Sequence, residues 1–183
     1  MLSMKLYMEP KPKHLDDTSS ILTPDAASKL QSPPAGTHPH LLLVYWERHT
    51  RSGQWQSALA VAESLVEALP QEPIGWLYRS FALQQLGRLR EASQFLLKGA
   101  RRFPADWRIA YNLASYACQL GDLAGAWNWL DRASLLVEAD QVKSLALDDP
   151  GFKLLWKGIG QRPPPGSSAS GLQESSEVMA FSA

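Results

Sequence analysis

The chain repeats itself with a fixed period. Gly53, Gly87 and Gly121 are separated by steps of 34 residues. A second series of small residues follows at the same interval: Ala58, Ala92 and Ala126. A repeat of this length is typical of stacked helix pairs, because one pair cannot bury its apolar face alone and its neighbours must cover it. We therefore predict an all-α array of antiparallel helix pairs.

The third unit shows how each repeat encodes two helices. Asp106 is a suitable N-cap, and apolar residues recur after it at helical spacing as far as Gly121. A glycine at this place supplies the left-handed conformation that ends many helices, and Asp122 is the N-cap of the next helix. Because the link is so short, the two helices must lie antiparallel. Pro70 and Pro104 close the first two units.

The alanines of the second series are predicted to lie where the two helices of a pair cross. They would face Ser80 and Ala114 on the first helices of the second and third units. Small side chains let the two backbones approach closely, and a larger one costs about 1–3 kcal/mol through overpacking.

The middle unit resembles the tetratricopeptide repeat. That family opens with a large residue, has small residues at the helix crossing, turns at a glycine and closes with a proline. The matching residues are Trp76, Ser80, Leu83, Gly87, Leu89, Ala92, Leu96, Ala100 and Pro104. The third unit departs from the pattern at Ala110 and Glu138, and the first unit has Trp46 at a place that is usually small.

The resemblance implies a right-handed superhelix of three units at about 39–72, 73–106 and 107–140, followed by a capping helix within 141–160. Residues 145–156 are similar to the closing segment of many uncharacterised bacterial repeat proteins, and residues 108–114 and 116–121 strengthen that likeness. An end repeat leaves an apolar face open, which a cap covers. The apolar residues expected to do so are Leu145, Phe152, Leu155 and Trp156. We expect Trp127 or Trp129 to contact this segment.

Both ends of the chain are predicted to be disordered tails, residues 1–38 and 161–183. They are rich in proline and small polar residues, so they cannot bury enough apolar surface to offset the entropy of ordering. Within the first tail, residues 25–30 are predicted to form a brief helical turn. The folded part is then 39–160.

Charge and cysteine content restrict the function and the compartment. The chain has 18 basic and 18 acidic residues, so it has no long-range field to attract nucleic acid or an anionic membrane. The only cysteine, Cys118, has no internal partner, which favours a reducing compartment. Charges and prolines interrupt the N-terminal sequence, which argues against a secretion signal, and the apolar runs are too short to span a bilayer. We expect a cytoplasmic protein.

The resemblance implies that the first helices line a concave groove, where a peptide or an amphipathic helix of a partner protein binds. Phe81 and Tyr111 are expected to be exposed there, flanked by amides and Arg108. The residues predicted to line the groove are Leu77, Phe81, Gln84, Gln85, Arg108, Tyr111, Asn112, Ser115 and Gln119. The alternative is that the N-terminal tail or a neighbouring subunit covers this face.

Other interpretations of the polar residues are weaker. Arg108 and Asn112 supply part of a clamp for a C-terminal carboxylate, but Leu77 and Phe81 lie where the middle unit would need polar donors.

Five basic residues concentrated on one second helix are interpreted as a solvent-exposed face: Arg88, Arg90, Lys98, Arg101 and Arg102. Three histidines lack Cys or acidic ligands at metal-binding spacing: His38, His40 and His49. Two acidic residues precede Pro150, as is common where a helix begins: Asp148 and Asp149.

We expect a non-enzymatic scaffold that binds another protein, without cofactor or metal, and favour a monomer. No phosphate loop or nucleophile motif is present in the sequence, and Cys118 has no histidine near it. The alternative is a dedicated bacterial secretion chaperone of the small three-repeat type. That role needs a more apolar groove and usually a self-associating N-terminal helix.

Overall fold

The computed structural model describes residues 36–161, and this part of the chain contains helices and no strand. The α-helices are α1 (Pro39–Arg51), α2 (Trp55–Ala68), α3 (Ile74–Gln85), α4 (Leu89–Arg102), α5 (Trp107–Gln119), α6 (Leu123–Leu136), α7 (Ala139–Asp148) and α8 (Trp156–Gln161). A 3-10 turn, Pro150–Phe152, lies between α7 and α8. The predicted all-α class is confirmed. The predicted tails and the turn at 25–30 lie, except for a few residues, outside the described part.

The helices form a linear array of pairs. Helices α1 and α2, α3 and α4, and α5 and α6 pack against each other within pairs, and α2 on α3 and α4 on α5 connect the pairs. Packing between consecutive elements is what a stack of repeats requires, because each unit buries its apolar face against its neighbours.

The three glycines of the period make the turn inside each pair. Gly53, Gly87 and Gly121 have φ values of 66°, 75° and 84°. The residue after each glycine donates its N–H to the carbonyl five residues earlier, at 2.8–2.9 Å. A residue with a Cβ is strained in this left-handed conformation, which explains why glycine recurs at this position.

The small residues that we predicted at the helix crossings lie in the core. Each alanine of the second series is fully buried, and so are Ser80 and Ala114. Trp46, which departs from the family pattern, is accommodated because its ring stacks on Tyr78, with centroids 4.2 Å apart and planes at 8°. The large residue therefore fills the space between the first helices of two units.

The C-terminal cap is more elaborate than the single helix that we predicted. It consists of α7, the 3-10 turn and α8, and α7 packs against both α6 and α8. Phe152 is fully buried, whereas Trp156 is only partly buried and donates its indole N–H to the carbonyl of Ala146 at 3.1 Å. Trp127 lies against Gly158 of α8, where a Cβ would approach Trp127 Cζ2 to 2.8 Å. Trp127 and Trp129 also pack against the core cluster that contains Phe152 and Leu155.

The close contact between the first two units depends on Gly75, which does not belong to the series of glycines repeated every 34 residues. Gly75 is buried near the start of α3, and a Cβ there would lie 2.7 Å from Val66 N and 2.9 Å from Leu65 C. Both atoms belong to the backbone of α2. The backbones of α2 and α3 must therefore move apart to admit any side chain.

We predict that Gly75→Ala lowers the free energy of unfolding by about 1–3 kcal/mol, because the added methyl group forces the backbones of α2 and α3 apart. The measurement is urea unfolding of the full chain. Gly160→Ala is the control, since nothing lies within 4 Å of a Cβ at that position. Equal effects of the two substitutions would contradict the close contact.

Candidate functional site

The candidate site is one side of the first helices of the three units. We call it the first-helix face and define it by residues at equivalent positions of α1, α3 and α5: Leu43 and Glu47, Leu77 and Phe81, and Tyr111 and Ser115. At its edge, Gln84 Nε2 donates to Gln119 Oε1 at 3.3 Å. This hydrogen bond connects α3 directly to α5, between residues that are 35 apart, one more than the repeat period.

The predicted exposure of the two aromatic residues is wrong. Phe81 and Tyr111 are each only 3% exposed, and Leu77, Asn112 and Ser115 are buried as well. Phe81 meets the ring of Trp55 edge-on, with centroids 5.7 Å apart at 83°. The remaining predicted groove residues are more accessible: half-buried Gln84 and Arg108, and exposed Gln85 and Gln119. Whether these residues bind a partner stays a prediction.

The chain itself covers the first-helix face of the third unit. We call residues 149–152 the cap turn. Tyr111 donates its hydroxyl proton to Asp149 Oδ2 at 3.2 Å, and its ring meets Phe152 at a centroid distance of 5.2 Å and an angle of 60°. Gly151 lies so close to Ser115 that a Cβ on the glycine would collide with Ser115 Oγ. The cap turn therefore occupies the place where we expected a partner.

Hydrogen bonds of Asp149 stabilise the conformation of the cap turn. Its Oδ1 accepts the N–H of Gly151 at 2.8 Å, and its backbone carbonyl accepts the indole N–H of Trp156 at 3.3 Å. The expected helix-start role of Asp149 is thus confirmed. Burial, and then the carboxylate of Asp149, raise the pKa of Tyr111, so the tyrosine stays protonated and acts as a donor.

The polar residues at the start of α5 are engaged within the helix. Arg108 Nη2 lies 2.6 Å from Asp106 Oδ2, and the same carboxylate caps the helix by accepting the N–H of Arg108 at 2.9 Å. Asn112 donates its Nδ2 to the carbonyl of Arg108 at 2.6 Å. These bonds direct both side chains to their own helix, which disfavours a carboxylate clamp.

The basic residues and the thiol have ordinary structural roles. Arg88 pairs with Glu91 at 2.7 Å, and Arg102 Nε donates to the carbonyl of Pro70 at 2.9 Å. Cys118 is fully buried, and burial raises the pKa of its thiol, which disfavours the reactive thiolate.

Within residues 36–161, no group of three His, Cys, Asp or Glu side chains is placed to hold a metal ion. His49 is buried, and its Nδ1 shares a hydrogen bond with Gln54 Oε1 at 2.7 Å. None of the helices in this part is both long enough and apolar enough to cross a membrane.

Comparison with known proteins adds only a likeness in fold. No family model matches the chain, and no curated protein matches it. One similar solved structure is PcrH in complex with the chaperone binding region of PopB, at 21% identity and a TM-score of 0.48, covering 76% of this chain and 96% of that one. Another is PcrH with the chaperone binding region of PopD, at 21% identity and a TM-score of 0.48, covering 79% and 92%. A likeness at this level does not extend to function.

Two buried tyrosines make the protein sensitive to alkali. Burial raises the pKa of Tyr78 to about 12 from an ordinary value of 10.0, and the pKa of Tyr111 is also raised. Above about pH 10 the unfolded chain loses these protons while the folded chain keeps them. The folded state then binds more protons, so stability must fall as the pH rises.

We predict that the free energy of unfolding falls from about pH 10 upward, and that Tyr111→Phe reduces this fall because it removes one of the two groups. The measurement is urea unfolding of the full chain at a series of alkaline pH values. Tyr78→Phe is the matched variant and should reduce the fall as well. An unchanged pH dependence in both variants would show that neither hydroxyl titrates as the structure requires.

Proposed function

We propose that this chain is a tetratricopeptide repeat protein and a non-enzymatic scaffold, which binds a peptide or helix of a partner protein on the first-helix face. The observation that supports this most directly is the cap turn on α5. A non-helical segment is held there by a hydroxyl donor, an aromatic ring and a small residue. The face of one unit is therefore suited to binding an irregular segment of polypeptide.

The accessible part of the same face has the mixed chemistry that peptide binding needs. On α1, Leu43 is half-buried, and Glu47 accepts a hydrogen bond from exposed Arg51 at 2.6 Å. At the edge of α3 and α5, Gln85 and Gln119 are exposed, and the Gln119 amide also donates to Ser115 Oγ at 3.0 Å. Amides satisfy the backbone groups of an extended peptide, while apolar groups between them bind its side chains.

An enzymatic role is disfavoured by the engagement of the titratable side chains. On and around the first-helix face, Arg108 pairs with Asp106, and Asp149 accepts hydrogen bonds from Tyr111 and Gly151. These bonds are structural, and catalysis needs titratable groups that converge on an open cleft. The balanced charge supports a protein partner over nucleic acid. We also propose a cytoplasmic location, because the one cysteine is a buried free thiol.

The secretion-chaperone alternative needs a groove dominated by apolar surface. The accessible edge here is rich in amides, which favours the general scaffold: Gln84, Gln85 and Gln119. An obligate dimer formed through residues 1–40 would favour the chaperone instead, and analytical ultracentrifugation of the full chain distinguishes the two.

We predict that the double variant Gln85→Arg and Gln119→Arg weakens partner binding by about tenfold or more, because two bulky cations replace amides at the edge of the face. The partner is first captured from cells of the native host with the full chain, and its bound segment is then titrated calorimetrically. The matched control is Gln94→Arg, since Gln94 is also an exposed glutamine but lies on the second helix α4.

A captured segment that binds the double variant and the wild type equally would place binding elsewhere. Equal weakening by Gln94→Arg would mean that added charge, and not the first-helix face, determines the affinity. Either result contradicts the proposed site.

A further inference from the structure

One side of α1, at the N-terminal end of the array, carries apolar residues that are open to solvent. Leu41, Val44 and Arg48 lie at i, i+3 and i+7, so they follow one side of the helix. We call these three residues the end stripe. Leu41 is 38% exposed and Val44 is 37% exposed. Trp46, which packs on α3, is rotated from each of them by about 140–160° in a helix of 3.6 residues per turn, so the end stripe points away from α3.

In the second and third units, the residues equivalent to the end stripe are covered. They lie one and two repeat periods further along the chain: Gly75, Tyr78 and Ala82 on α3, and Ile109, Asn112 and Tyr116 on α5. All six are buried.

The cover at these equivalent positions comes from the preceding unit. A Cβ on Gly75 would lie 2.7 Å from the nearest backbone atom of α2. Tyr78 stacks on Trp46 of α1, and Tyr116 donates its hydroxyl proton to Ser80 Oγ of α3 at 3.3 Å. The end stripe therefore continues the surface that joins one unit to the next, at the end where the array has no earlier unit.

Arg48 gives the end stripe a charge that the described chain does not neutralise. Its Nη1 is buried and has no hydrogen-bond partner. Within residues 36–161 no carboxylate forms an ion pair with this guanidinium, and the adjacent Glu47 pairs with Arg51 at 2.6 Å. A guanidinium matches a carboxylate in both charge and geometry. An element that covers the end stripe is therefore expected to carry an acidic residue opposite Arg48.

We propose that the end stripe is a docking surface for an amphipathic helix of another protein, which covers Leu41 and Val44 with apolar side chains and pairs an acidic residue with Arg48. A helix fits because helices of the preceding unit cover the equivalent residues on α3. Leu41 stands where α3 has Gly75, so the added helix must lie further from α1 than α2 lies from α3. The end stripe shares no residue with the first-helix face, and the inference goes beyond the proposed function.

A second copy of this chain suits the end stripe less well. A two-fold contact brings the same surface of both copies together. Two antiparallel α1 helices that cross near Val44 would place Arg48 of each copy beside Leu41 of the other. Neither guanidinium would gain a carboxylate, because the end stripe contains none.

Photo-crosslinking with the purified full chain tests the proposal. A benzophenone is attached to the cysteine introduced by Val44→Cys, and the labelled protein is irradiated in a lysate of the native host. Native Cys118 stays unlabelled because it is fully buried. Mass spectrometry of the crosslinked peptides is expected to show a segment of another protein with apolar residues at helical spacing and an acidic residue within one turn of them. The matched control is Leu97→Cys on α4, which is 38% exposed and is not expected to capture this segment.

Exchange of charges then tests the role of Arg48. Adding Arg48→Glu to the labelled chain is expected to lower the yield of the crosslink by about tenfold or more, because two carboxylates then face each other. Arg48→Lys keeps the charge and retains most of the yield, and Arg90→Glu makes the same charge reversal on α4 without effect. A synthetic peptide of the captured segment, with its acidic residue replaced by lysine, restores the crosslink to the Arg48→Glu chain, which also shows that this variant is folded.

Capture of residues 1–35, or of another copy of this chain, overturns the proposal. Absence of a crosslink, a captured segment without an acidic residue and an unchanged yield with Arg48→Glu each contradict it as well. Because neither the label nor Arg48 belongs to the first-helix face, these outcomes are independent of the proposed function.

Discussion

The two helices of each pair are able to approach closely because the residues predicted at their crossing are small and fully buried. Ala58, Ala92 and Ala126 are all inaccessible to solvent, and glycine turns of one conformation place the second helix of each pair against the first. This close crossing sets the orientation of every first helix. The first-helix face exists because the same crossing recurs three times at one interval.

A linear array has a second constraint, which is that its ends must be closed. The last unit has no following repeat, and the cap supplies the missing cover with α7, α8 and the cap turn. The cap turn also bends over onto the first-helix face, where Phe152 is fully buried against Tyr111. One segment thus closes the core and fills part of the candidate binding surface. This double role links the stability of the third unit to how much of the first-helix face stays uncovered.

Much of the fold was predictable from the sequence because its determinants are local or periodic. Turn glycines, N-caps such as Asp106 and Asp122, and the alanines at the crossings act within a few residues or recur at a fixed step. The presence of a C-terminal cap was predictable, but its division into two helices and a 3-10 turn was not. Its two helices follow the last repeat without matching the 34-residue pattern, so the number of helices was not readable from the period.

The site was harder to predict, because its contacts join residues that are unrelated by the repeat. Tyr111 and Asp149 are 38 residues apart, and nothing in either local sequence pairs them. The expectation that Phe81 and Tyr111 are exposed followed from the helix face alone, which does not show what crosses it. Gly75 was missed for a similar reason, since its contact is with the backbone of another unit. The Asp-Pro-Gly sequence at 149–151 was the one available signal of a tight turn.

The cap turn, through Phe152, holds the third unit in place, while the first unit depends on its own neighbours. Native-state hydrogen exchange of the full chain with Phe152→Ala tests it most directly, since removing a buried phenylalanine costs about 3–5 kcal/mol. We predict that the amides of α5 and α6 lose protection most, and that those of α1 and α2 keep theirs. Equal loss of protection in all helices, or no loss at all, would contradict it.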